Sequence, residues 1–222
     1  MTVLHLADEG EAADLAAFLS RLLHYDRGAA VRLQAAGTAL AVFGRPPSFE
    51  VLAIRAVRLA KPYENGLDVT LDVTVSAGEL LESVDESAAT AVVPDAVTGP
   101  PWAGVLPPRG GWRPVPGLPA PDALRAMIGS GVAEFRSRTQ ELAEERRTRA
   151  ELDRIGREIW SRTVGDTRLP VRAVHAAQSL GFLRATGELA LLSSGAWLRL
   201  RTPYGSIAVR RAGLGALDVS VR

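Results

Sequence analysis

Cysteine is absent from the 222 residues, so a disulfide, a thiolate metal site and a cysteine nucleophile are all excluded. Lysine and asparagine occur once each, as Lys61 and Asn65, against 25 arginines. That bias, with abundant alanine, reads as the mark of a high-GC genome rather than of a function. Histidine is scarce too: His5, His24 and His175 lie far apart and none has a partner at metal-ligand spacing. His24 falls at a helix end, where a cation favours the dipole, and reads as a cap. No apolar run approaches the roughly 20 residues that span a bilayer, so no membrane partner is expected. Asp8 and Glu9 stand where a signal peptide would carry a basic region, which predicts a cytoplasmic protein.

Catalytic signatures are equally sparse. Gly213-Leu214-Gly215 lacks the third glycine and the strand-to-helix setting of a phosphate cradle. Gly129-Ser130-Gly131 falls inside an expected helix and is not a nucleophile elbow. Folding could still bring together carboxylates as distant as Glu79 and Glu188, but nothing local points to them. The chain is therefore expected to have no catalytic residue, no metal and no cofactor.

What is present is ordinary globular material, 47% apolar and 23% charged, enough for a sizeable core. Charge is uneven along it. Residues 1–100 carry 7 basic and 14 acidic side chains, while residues 101–222 carry 19 and 11. An acidic half and a basic half can meet within one chain, join copies head to tail, or leave a basic surface for an anionic partner. The pI near 8.2 is too mild to argue for DNA binding by itself.

The patterning predicts an α+β protein: an antiparallel meander with flanking helices, a long bridging helix and a C-terminal β-hairpin unit. Four segments are expected: an acidic α+β module over 1–93, a Pro/Trp-rich ordered loop over 94–121, a long helix over 122–163, and a basic helix-plus-hairpin unit over 164–222. Val3 to Leu6 reads as a strand and Glu9 to about His24 as an amphipathic helix with acids in its first turn. Val31, Leu33, Leu40 and Val42 flank Ala36-Gly37 as a hairpin, and a third strand runs from Phe49 to Leu59. Asn65-Gly66 is a turn signal. Leu67, Val69, Leu71, Val73 and Val75 then alternate as a strand whose wet face carries Asp68 and Asp72, roughly 13 Å apart and too distant to share a metal. Ser76-Ala77-Gly78-Glu79 is a capping box opening a helix whose outer side carries Glu79, Glu82, Asp85 and Glu86. In this order of elements the N-terminal segment resembles one module of the DNA sliding clamps; the resemblance lies in topology, which implies a fold and leaves function open.

Residues 94–121 hold 9 of the 14 prolines, which rules out a regular helix or a central strand. Trp102 and Trp112 within it predict a loop laid over the body and anchored by those rings. A ligand lid or a polyproline segment offered to a partner are the other readings. From Pro121 a helical pattern runs to about Arg162. Its middle, Ala143 to Glu151, has almost no apolar face, but Glu134/Arg138, Glu145/Arg149, Asp153/Arg157 and Glu158/Arg162 are spaced as helix-supporting pairs. That pattern predicts a solvated helical bridge between two packed ends. A helix opened by Pro170 and closed by Gly181 follows, then strands over Phe182–Thr186 and Leu189–Leu192, and a final strand through Leu217, Val219 and Val221.

Ala196 to Arg211 is the best-defined hairpin. Alternation puts Leu198 and Leu200 on one face and Trp197, Arg199 and Arg201 on the other, and Thr202-Pro203-Tyr204-Gly205 makes the turn. Arg210 returns on the arginine face, beside Arg199 or Arg201 according to register, and Arg211 follows it. Arginines side by side with aromatics are the materials of an anion-binding surface, though they also serve to cover an exposed strand. The residues singled out for binding are thus Trp197, Arg199, Arg201, Tyr204, Arg210 and Arg211, with Trp102 and Trp112 of the loop. The expected function is a non-catalytic interaction or scaffold protein whose hairpin contacts an acidic protein partner or another copy of itself, as a homo-oligomer. Nucleic-acid binding by the hairpin, and an enzyme or small-molecule binder with a pocket under the Trp102/Trp112 loop, are the alternatives.

Overall fold

The computed structural model describes residues 2–60, 71–184 and 187–211. Strand β1 (Val3–His5) leads to helix α1 (Glu9–Tyr25), which Asp8 caps by accepting from the Glu11 N–H at 2.8 Å. Leu15, Phe18, Leu19 and Leu22 recur at three- and four-residue intervals and bury one face of that helix. The meander follows as expected, with β2 (Ala30–Ala36), β3 (Ala39–Gly44) and β4 (Leu52–Arg58) paired antiparallel. Gly37, at φ 59°, supplies the left-handed residue that the short β2–β3 connection requires. Strand β5 (Asp72–Ser76) pairs back onto β2, and Ser76 then caps helix α2 (Ala77–Glu82) through the Glu79 N–H at 3.3 Å. The Asn65-Gly66 turn and the Leu67 end of the expected strand lie outside the described residues. Short strands β6 (Val84–Asp85) and β7 (Thr90–Val92) complete a small sheet with β1.

The proline-rich segment contributes a 3-10 turn at Pro101–Gly104 and one edge strand, β8 (Arg113–Val115). Helix α5 (Val171–Ser179), strand β9 (Ala190–Ser194) and the hairpin β10 (Trp197–Thr202) and β11 (Gly205–Arg210) form the C-terminal unit. The strand expected over Phe182–Thr186 is not a strand in its described part. Gly181, at φ 75°, ends the helical stretch, its N–H bonding Gln178 O at 3.0 Å while the Phe182 N–H bonds Ala177 O at 2.7 Å. This is a Schellman closure, and it turns the Phe182 ring inward to stack on Phe18 at 5.7 Å. The final strand expected at Leu217 to Val221 lies outside the described residues.

The single helix expected over 122–163 is two helices. Helix α3 (Pro121–Gln140) and helix α4 (Arg149–Trp160) pack on one another as an antiparallel hairpin. The intervening segment has no buried side chain, so no packing held a helix through it. Arg147 instead closes the end of α3 by donating to the carbonyls of Leu142 and Gln140, both at 3.0 Å. Thr148 opens α4 by accepting from the Glu151 N–H at 3.3 Å. The expected Glu134/Arg138 pair forms within α3 at 3.4 Å, and the same charges also link the two arms: Arg138 meets Glu158 at 2.8 Å and Arg162 meets Glu134 at 2.5 Å.

Eight strands form one antiparallel sheet in the order β5-β2-β3-β4-β11-β10-β9-β8. The acidic and basic halves therefore meet within this chain, where β11 pairs with β4 through Ser206 with Ile54 and Ala208 with Leu52. One face, through Leu33, Val42, Val57, Leu200 and Ile207, shares the main core with α1, α5 and the start of α3. The seam between halves is reinforced on this face. Arg55, 6% exposed, pairs with Glu11 at 3.0 Å and Asp14 at 3.2 Å and donates to Tyr204 O at 2.8 Å. No described helix is long and apolar enough to cross a membrane.

Candidate functional site

The opposite face of the sheet carries the hairpin arginines. Strict alternation along β10 sends Leu198 and Leu200 into the core and leaves Trp197, Arg199 and Arg201 outside. The register places Arg199 against Ala208, Arg201 against Ser206, and Trp197 against Arg210. Arg210 thus stands opposite an aromatic ring, not beside another arginine as two of the possible registers would have put it. This arrangement avoids a directly opposed pair of like charges.

The Pro/Trp segment crosses this outer face. Trp102 and Leu106 pack with Trp197 on a second apolar cluster made by Phe43, Leu52, Ile54 and Ala208. The segment is pinned by Arg32 donating to Ala103 O, by Ser194 Oγ donating to Gly110 O at 3.1 Å, and by the β8–β9 ladder. Asp72, expected to be solvated, holds the Arg32 guanidinium at 2.7 Å from the neighbouring strand and accepts from Gln34 as well. Trp112 donates its indole N–H to Pro108 O at 3.0 Å and lies over the Arg199 guanidinium, 5.7 Å from it to the ring centroid.

Arg199 is the residue whose chemistry this cover alters. Its Nε is buried without a hydrogen-bond partner. Burial, and then the positive charge of Arg201, push its pKa below the ordinary arginine value. Among the described residues no carboxylate lies within ion-pair distance of Arg199, Arg201 or Arg210. A groove of about 250 Å³ runs beside Arg199, walled by Pro107, Pro108 and Arg109 of the loop and floored by Ala41, Phe43 and Ala56 of the sheet. The arrangement can hold an anionic group against a desolvated guanidinium, with an apolar floor beneath.

Of the eight residues singled out in the sequence, Trp197, Arg199, Arg201, Arg210, Trp102 and Trp112 belong to this face. Tyr204 does not: it sits on the seam, its ring covered by Arg184 at 4.1 Å while Arg184 reaches Asp14 at 2.8 Å. Arg211 closes the base of the hairpin, its N–H bonding Ala196 O at 2.7 Å and its guanidinium bonding Gly195 O. Arg109 was missed, because a proline-rich stretch gives no period from which to read which side chains face the sheet. Among the described residues no three His, Asp or Glu side chains are grouped as a metal site.

The two halves of the chain match separate family models. Residues 1–104 match the one described as a domain of unknown function, DUF8010, and residues 107–214 match another so described, DUF8185. Among curated proteins no sequence matches the chain. Among solved structures the chain is similar to a DNA polymerase sliding clamp from Pseudomonas aeruginosa, at 12% identity and a TM-score of 0.50, over 98% of this chain and 66% of that one. The same clamp solved with a ligand matches at 12% identity and a TM-score of 0.50, over 90% of this chain and 63% of the clamp. The chain spans just under two thirds of the clamp's length, and the likeness is one of fold.

Proposed function

We propose that this chain is a non-catalytic interaction protein whose arginine-lined outer face docks on an acidic protein surface, foremost that of a second copy. The carrying observation is Arg199: a largely buried guanidinium with no carboxylate partner among the described residues is costly unless something anionic completes it. A complementary surface exists on the same chain. Glu79, Glu82, Asp85 and Glu86 are all exposed around α2 and β6, and none forms an ion pair with a described residue. Joining one such surface to the arginine face of the next copy is a heterologous contact, which builds rings or open filaments.

Sedimentation at low and high salt tests this reading. Reversible association at low salt that weakens with salt is expected, and R199E/R201E abolishes it. Adding E79K/E82K to the arginine reversals restores association if the two patches meet. A monomer at every salt concentration and at high protein concentration overturns docking between copies.

A second reading is favoured by the fold's likeness to a DNA polymerase sliding clamp, together with the basic hairpin. Random duplex DNA binding at low salt, falling steeply with added salt, supports it; no binding overturns it. The groove under the loop supports a third reading, a small anion held by Arg199 and Arg109. A metabolite-mixture thermal-shift screen with no stabilised fraction speaks against that one.

A further inference from the structure

A larger groove lies elsewhere, between the α3–α4 hairpin and the segment that leads into β4. It encloses about 650 Å³, within the range of small-molecule sites. Its apolar wall is aromatic. The His175 ring lies 4.4 Å from Trp160 at an interplanar angle of 32°, and Phe49 meets His175 edge-on at 5.1 Å, with Phe135 alongside. Its polar wall is mainly cationic. Asp153 neutralises Arg149 at 3.0 Å, but Arg157 has no ion pair among the described residues. Among the described residues Arg172 has only the exposed Glu50 at 3.9 Å, and its Nε is buried without a partner there.

Two features of the backbone lie at this groove. Gly156 stands in the middle of α4, where glycine weakens a helix, yet a Cβ there would meet Phe135 and Trp160 at an ordinary 3.7 Å. Packing does not demand glycine at that position, and a larger side chain there would enter the groove that Gly156 lines. At the mouth, Glu50 is held left-handed at φ 52°, ψ 39°, a conformation that costs a non-glycine residue and that collects at functional sites.

We infer that this groove binds a small planar aromatic anion, its ring against Trp160, Phe49 and Phe135 and its carboxylate or phosphate between Arg157 and Arg172. The ring supplies the stacking surface and the two guanidiniums supply the charge-assisted hydrogen bonds. The site is separate from the outer face of the sheet and stands or falls independently of docking there.

The test uses 1-anilinonaphthalene-8-sulfonate, an aromatic anion that fluoresces when its rings leave water. One site is expected per chain, with N-phenyl-1-naphthylamine, the same rings without the charge, binding at least about tenfold more weakly. R157Q/R172Q weakens the sulfonate about tenfold or more and leaves the circular dichroism spectrum unchanged. G156L fills the groove from a helix that leucine favours, so it abolishes binding while thermal stability holds or rises. Adenosine 5′-monophosphate and indole-3-acetate compete for the site, and whichever displaces the probe identifies a phosphate or a carboxylate ligand. Unaltered probe affinity in G156L, equal affinity for the neutral analogue, or displacement by neither competitor overturns the inference.

Discussion

Arg55 and Tyr204 tie the two halves of this protein together. Arg55 reaches from the inner face of β4 to the Glu11 carboxylate at 3.0 Å, and the same guanidinium donates to Tyr204 O at 2.8 Å across the β4–β11 seam. Removing such a cation leaves its partners uncompensated in a poorly solvated place. Glu11 keeps Arg58 at 2.8 Å and Asp14 keeps Arg184 at 2.8 Å, so the loss falls at the low end for a buried pair. R55M is expected to lower unfolding stability by about 3 kcal/mol in urea titrations. A loss below about 1 kcal/mol would mean that the seam rests on the strand ladder and apolar packing alone.

Gly205 opens β11 directly under the Phe182 ring. A Cβ there would stand 2.5 to 2.7 Å from three ring atoms, a distance that carbon atoms do not tolerate. The ring is itself stacked on Phe18 in the core, 3% exposed, so it has little room to yield. G205A is expected to cost about 1–3 kcal/mol as an overpacking change, read from the urea midpoint. G205A/F182L, which removes the ring that the methyl strikes, should cost less than the two single changes added together.

Much of this architecture is legible in periodicity. Period-two alternation located β2, β3, β10 and β11, while β4, buried on both faces, was read from an apolar run. The helix α1 was equally plain from its acids and apolar stripe. The break between α3 and α4 was not read, although Thr148-Arg149-Ala150-Glu151 is a capping box of the same kind as Ser76 to Glu79. Charged residues four apart argued for a continuous helix, but that spacing cannot tell pairing within one helix from pairing across a hairpin. Arg138 meets Glu134 within its own helix and Glu158 across the hairpin, while Asp153 meets Arg149. The site was half legible. Alternation put Arg199, Arg201 and Trp197 on one face, while the cover supplied by Trp112 depends on a loop path that no period encodes. The groove between Phe49, Trp160 and His175 draws on three separate segments and leaves no local signal at all.

His175 sets a pH dependence that can be isolated. Its ring is wedged between Phe49 and Trp160, and burial pushes its pKa below the ordinary histidine value of about 6.5. The charged groups that line the same groove are Glu50, Arg149, Asp153, Arg157 and Arg172, and burial is the cause that fixes the direction of the shift. Because the folded-state pKa is the lower one, the unfolded chain takes up the proton first as the solution is acidified. Stability from this residue is therefore complete above about pH 6.5, falls as pH drops from there toward the folded value, and levels off below it. H175F keeps a flat ring between the same two aromatics and cannot titrate. The wild-type melting temperature should fall relative to that of H175F between about pH 7 and pH 5, measured by scanning calorimetry in matched buffers. Parallel curves for the two proteins across that range would show that protonation of His175 is not linked to folding.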